Sequence, residues 1–223
     1  MSIQVIGSTG TIAEVDGTTW RALRVTVRPI EYGLRGQYRL GVQATAGNKS
    51  FTNASLFQAR WFDPNAVALI WGFNVDGPVY TGSSSAGFGN FQLFFARNYT
   101  ANGSGGTTLT PISMQDLRMT MRQSLMADMR MTTTAALTAG TWVLDSQPLG
   151  QYVFSVPGAV TGGAFNVNRG VLLYGCISRV ANPAPIVLGF NEGINLRGTM
   201  NITGGGINAN FGLNMTWSEV SIY

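Results

Sequence analysis

Gln37-Tyr38-Arg39-Leu40-Gly41-Val42-Gln43-Ala44-Thr45 sets Tyr38, Leu40, Val42 and Ala44 at every second position, with Arg39, Gly41, Gln43 and Thr45 between them. Side chains along a β-strand point to opposite faces in turn, so this stretch reads as a strand with one apolar and one polar face. The rhythm recurs outward from it in both directions. In 22–28, Leu23, Val25 and Val27 alternate with Arg24, Thr26 and Arg28, and Pro29 ends the run or confines it to an edge. In 211–222, Phe211, Leu213, Met215 and Trp217 share a face, and the register slips near Ser218-Glu219, as at a bulge.

Residues 56–62 set Phe57, Ala59 and Trp61 against Gln58 and Arg60, and 66–73 is almost wholly apolar, as in a strand covered on both faces. Asp63-Pro64-Asn65 between them reads as a hairpin turn. Residues 88–97, 129–134, 141–144, 151–156, 171–178, 186–190 and 193–202 add further strands, and Gly204-Gly205-Gly206 reads as the turn joining 193–202 to 211–222 as antiparallel partners. One short helix is expected at 114–126. Ser113-Met114-Gln115-Asp116 caps it, Leu117, Met121, Leu125 and Met126 lie near one face, and its methionines fill core.

About ten to twelve short strands without a βαβ rhythm, linker or repeat predict an all-β fold, an antiparallel β-sandwich that is jelly-roll-like. The domain is expected over 21–223, preceded by an extended N-terminal arm over 1–20 that is Gly/Thr-rich with scattered apolar residues.

Only 11% of the 223 residues are charged, against about 25% in an ordinary soluble domain, while Gly, Ser, Thr and Asn exceed a third of the chain. With 45% hydrophobic residues the chain builds a core and is not disordered, and no run of about 18 apolar residues marks a membrane span. No histidine is present, which removes His-dependent catalytic triads and most zinc, copper and haem ligation. The single cysteine, Cys176, sits in an apolar run and reads as a buried, inert thiol. The N-terminus carries no secretory pattern, so synthesis in a cytoplasm is expected, and the six N-x-[ST] sequons reflect a chain crowded with Asn, Ser and Thr.

Asp63, Asp76, Asp128, Asp145, Glu192 and Glu219 are scattered, with no pattern that singles out a glycosidase pair or a calcium loop. The glycine loops 81–87 and 99–110 lack a Gly-Lys-[Ser/Thr] ending and read as surface turns. Trp20, Trp61, Trp71 and Trp142 are candidates for stacking on sugars, but most lie within alternating strands, where core packing comes first. Lys49 is the only lysine beside thirteen arginines, and the basic residues form no cluster of the kind that binds phosphate backbones. Arginine suits protein interfaces, where lysine is depleted. The expectation is therefore a protein with no enzymatic activity, no cofactor, no bound metal, no specific nucleic acid and no membrane, acting by contact. Its candidate interface residues are Ile3, Val5, Ile6 and Ile12 on the arm, with Arg24, Arg28, Arg35 and Arg39.

Ala22-Leu23-Arg24-Val25-Thr26-Val27-Arg28-Pro29, Thr132-Thr133-Thr134-Ala135-Ala136-Leu137-Thr138-Ala139-Gly140-Thr141, Pro185-Ile186-Val187-Leu188, Asn191-Glu192-Gly193 and Thr216-Trp217-Ser218-Glu219-Val220, in this order along the chain, resemble virion structural proteins of tailed bacteriophages. The resemblance implies an all-β accessory protein of the head, such as a capsid cement or decoration protein, or else a tail or fibre component. It carries no catalytic residue across. The leading expectation is a homotrimer in the virion that clamps the major capsid protein. The alternative is a tail or fibre-associated domain that recognises host-surface carbohydrate.

Overall fold

A computed structural model describes residues 15–16, 22–23, 34–46, 50–81, 86–113, 123–132, 137–138, 140–156, 164–166, 170–175, 184–201 and 208–221. The chain divides into two units, Met1–Gly33 and Leu34–Tyr223. In the first, β1 (Val15–Asp16) pairs antiparallel with β2 (Ala22–Leu23). The arm expected over 1–20 otherwise lies outside the described residues, as does the rest of the strand expected over 22–28.

The second unit contains β3 (Leu34–Ala46), β4 (Ser50–Trp61), β5 (Ala66–Thr81), β6 (Gly87–Arg97), β7 (Thr107–Thr108), β8 (Ile112–Ser113), β9 (Met126–Met131), β10 (Val143–Leu144), β11 (Gly150–Val156), β12 (Ala164–Asn166), β13 (Val171–Gly175), β14 (Ile186–Leu188), β15 (Gly193–Asn201) and β16 (Asn208–Ser221). They form two antiparallel sheets. In one, β16 lies between β3 and β5, β12, β13 and β14 flank β5 in succession, and β8 touches β3. In the other, β15 lies between β4 and β6, with β10 and β11 beyond β6 and β9 and β7 beyond β4. The strand orders β3-β16-β5-β13 and β4-β15-β6-β11 are the paired Greek keys of a jelly roll.

The sheets bury a shared core. Phe57 of β4 meets Phe73 of β5 at 5.8 Å between ring centroids, and Phe91 of β6 meets Phe211 of β16 at 5.7 Å. Tyr38 stacks on Trp217 at 5.6 Å, so the apolar faces of the two most regular alternating stretches meet within one sheet.

Three sequence expectations are corrected. Residues 63–65 do not close a hairpin, because β4 and β5 lie in different sheets and the segment is a corner between layers. The Trp61 indole pins that corner, donating to the carbonyls of Asp63 (3.1 Å) and Ala66 (2.8 Å), while Asp63 Oδ1 accepts from Asn65 N (2.7 Å). Likewise β15 and β16 are not partners, since each is the central strand of its own sheet; Gly204-Gly205-Gly206 itself lies outside the described residues. Of the helix expected at 114–126, residues 114–122 lie outside the described residues, 123–125 are not helical, and Met126 already opens a strand. Met126, Met129 and Met131 do fill core. The three-residue step from Met126 to Met129 mimics helical spacing because the β4–β9 register shifts there and Asp128 adopts φ 48°.

Candidate functional site

Gln58 and Arg60 occupy the polar face of β4, yet both are buried. Residues 99–104 lie over them. The Arg60 guanidinium donates to Asn102 Oδ1 (2.5 Å), Asn191 Oδ1 (2.7 Å) and the Tyr99 carbonyl (3.3 Å). Each of these acceptors is a neutral oxygen, and Arg60 Nε has no partner among the described residues. Only 8% of Arg60 is exposed, so a full positive charge is held below the surface without a bonded carboxylate among the described residues.

Around it three connections converge. Trp61 N donates to the Glu192 carbonyl (2.8 Å), Asn191 N to the Trp61 carbonyl (3.0 Å), and Tyr99 N to the Asn191 carbonyl (3.0 Å). Asn191 takes φ 61°, a left-handed conformation that asparagine tolerates, and Glu192 Oε2 closes the turn by accepting from Gly189 N (2.8 Å). This brings Phe62, just past β4, against Phe190, just past β14, with centroids 5.2 Å apart. Phe62 is 50% exposed and Phe190 49%. The Arg60 guanidinium carbon lies 4.5 Å from the Phe62 centroid, so the pair rests on a fixed cation.

Beside the aromatic pair, Arg97 bonds Asp145 (2.8 Å) and Glu192 (2.9 Å) and covers the Phe95 ring at 4.2 Å. The Arg97 hydrogen bond holds the Asp145 carboxyl below the usual carboxylate range. Deeper in, Asp128 Oδ2 accepts from Gln58 Nε2 (2.8 Å) and Gly103 N (2.8 Å), and Asp128 Oδ1 accepts from Arg130 Nε. Burial first, and the Asp128 charge second, push the Tyr99 hydroxyl well above its ordinary value. It stays a neutral phenol at physiological pH, which makes it a poor proton acceptor.

Of the interface residues expected from sequence, Ile3, Val5, Ile6, Ile12, Arg24 and Arg28 lie outside the described residues. Arg35 is engaged internally, with Nη1 on Asp63 Oδ2 (3.1 Å) and Nε on Ser221 Oγ (2.8 Å). Arg39 is exposed on β3, opposite Ile112 of β8. Among the tryptophans, Trp61 is core, Trp71 is half-buried and donates to Ser218 Oγ (2.8 Å), and Trp142 is half-buried against Tyr99. Cys176 lies outside the described residues.

Among the described residues no three His, Cys, Asp or Glu side chains gather to hold a metal, and no helix is long and apolar enough to cross a membrane. Sequence reasoning missed Phe62, Phe190 and Arg60. The available signal was an aromatic at the end of each of two apolar stretches, immediately before the turn formers Asp63-Pro64 and Asn191-Glu192. Comparison with known proteins gives no match to a family model, to a curated protein or to a solved structure.

Proposed function

We propose that this protein is a virion structural component, a capsid cement or decoration protein that attaches as a homotrimer to the major capsid protein and works by contact. The observation that carries the reading is the half-exposed Phe62–Phe190 pair, carried by two separate turns and seated on a buried arginine. Two apolar rings held in a fixed place at the surface lose water on docking without first being ordered, which favours an interface anchor. The surrounding Arg97, Asp145 and Glu192 form the kind of polar rim that sets register around such an anchor. The sequence resemblance to virion proteins supplies the partner class, and the jelly roll is an architecture that capsid proteins use. The fold alone does not assign it, because lectins share that architecture.

The test is co-sedimentation of purified protein with shells assembled without it. Exchanging both rings, Phe62→Ser with Phe190→Ser, is expected to weaken attachment by about tenfold or more while the melting temperature stays within a few degrees. Undiminished attachment of the double variant would remove this end of the sandwich from the interface. Failure of the native chain to bind shells, together with binding to immobilised glycans, would transfer the reading to carbohydrate recognition.

A further inference from the structure

Independently of that docking role, we propose that Asn102-Gly103 is a self-processing site at which Asn102 loses its side-chain amide through a succinimide, with Asp128 as the base and Arg60 as the oxyanion holder. Loss of the amide at an Asn-Gly step requires the glycine nitrogen to attack the asparagine side-chain carbon. Two things slow it in an ordinary chain: that nitrogen must shed a proton, and the carbonyl oxygen must take up negative charge. Both needs are met here. Gly103 N donates to the Asp128 carboxylate at 2.8 Å, and Asn102 Oδ1 accepts from the Arg60 guanidinium at 2.5 Å. A carboxylate on the departing proton and a cation on the growing oxyanion are the general-base and electrostatic elements of acyl-transfer catalysis.

The surroundings favour the same outcome. Asp128 is fixed from its other side by Arg130, and its side chain is only 1% exposed, so its proton-accepting oxygen is aimed and shielded. Asn102 is exposed, which admits the water the second step consumes. Glycine is the least hindered nucleophile, and a Cβ on residue 103 would come 2.0 Å from Gln58 Nε2, so any larger residue would have to displace the Gln58 amide that also bonds Asp128.

Gly103 N bonds to Asn102 Cγ as its proton passes to Asp128, and the oxyanion forms on Oδ1 beside Arg60. Asp128 returns the proton to Nδ2, the Cγ–Nδ2 bond breaks, and ammonia leaves. Water then opens the five-membered ring at either carbonyl, leaving aspartate or isoaspartate at position 102. The net change is one water in and one ammonia out, with no oxidation. The aspartate product places a carboxylate on Arg60, whose present acceptors are all neutral. The reaction thus gives the buried guanidinium a bonded counter-ion where the described residues supply only neutral acceptors.

The experiment follows the mass of the peptide spanning residue 102 in the full chain, incubated at neutral pH in isotopically heavy water, once folded and once in concentrated guanidinium chloride. The folded chain is expected to gain about one dalton plus the oxygen label at position 102 at least about tenfold faster than the unfolded chain. Asp128→Asn, with its fold checked by near-UV circular dichroism, is expected to bring the rate down to that of the unfolded chain or below. An equal or slower rate in the folded wild type overturns the proposal, since the Gly103 hydrogen bond would then only hold the loop. So does an undiminished rate in a folded Asp128→Asn chain. If that variant does not fold, the wild-type comparison alone decides.

Discussion

Arg60 and Glu219 are both ions buried without an opposite charge bonded to them among the described residues, and the fold treats them in opposite ways. Arg60 is surrounded by neutral oxygens: two asparagine side chains and a backbone carbonyl. Glu219, on β16, is surrounded by neutral donors: Ser124 Oγ (2.6 Å), Leu125 N (2.9 and 3.1 Å to its two oxygens) and the Trp217 indole (3.3 Å). Those bonds tie the start of β9 in one sheet to the central strand of the other. The difference is what each ion can do about its burial. A carboxyl can take a proton and become neutral, and burial raises Glu219 above its ordinary value in spite of the donors. A guanidinium cannot shed its charge, so only its neighbours can change.

Removing the cation is expected to cost the most. Arg60→Ala strands the Asn102 and Asn191 oxygens and the Tyr99 carbonyl and takes away the seat of Phe62. A loss of about 3 kcal/mol in denaturant-unfolding stability is expected. A loss below about 1 kcal/mol would show that the buried charge costs nearly as much as its bonds return. Packing offers a second large effect free of charge. A Cβ on Gly150 of β11 would lie 1.9 Å from the Leu173 carbonyl of β13, so Gly150→Ala is expected to cost about 2 kcal/mol or more by forcing the two strands apart.

Glu219 sharpens the contrast through pH. Its folded value lies above the unfolded one, so the folded state holds the proton more tightly, and stability falls as pH rises from the ordinary glutamate range through the folded value. Melting temperature followed upward from mildly acid pH should therefore decline on account of this group. Glu219→Gln should flatten that part of the profile and raise stability at neutral pH by about 1 kcal/mol or less. An unchanged profile in the variant would assign the decline to another group. The smallest effect belongs to Arg97, which is itself exposed and whose two carboxylate partners are only partly buried. Arg97→Ala should alter stability by no more than about 0.5 kcal/mol, and that little should shrink with added salt.

Much of the architecture was legible because alternation reports which residues face a core. Tyr38, Leu40, Phe211, Leu213, Met215 and Trp217 were readable as inward-facing residue by residue. Alternation does not report which strand lies alongside. Asp63-Pro64-Asn65 makes the same side-chain-to-backbone turn whether the chain doubles back within a sheet or crosses to the facing one, and only the partners of β4 and β5 distinguish the two. The site was less legible for the same reason. On β4, Gln58 and Arg60 have the spacing of a solvent-facing edge, and the segment that covers them begins some forty positions later in the chain. The methionines at 126 and 129 misled differently, since a local register shift produced a spacing that helices also use.

The placement of β16 has a consequence for biosynthesis. It fills the gap between β3 and β5, so until the ribosome has released it, both of those strands present bare backbone to whatever else is in the cell. That sheet stays open at its centre until a strand made much later than β3 and β5 arrives. Chaperone capture or swapping of β16 between nascent copies is the hazard such an order of events creates.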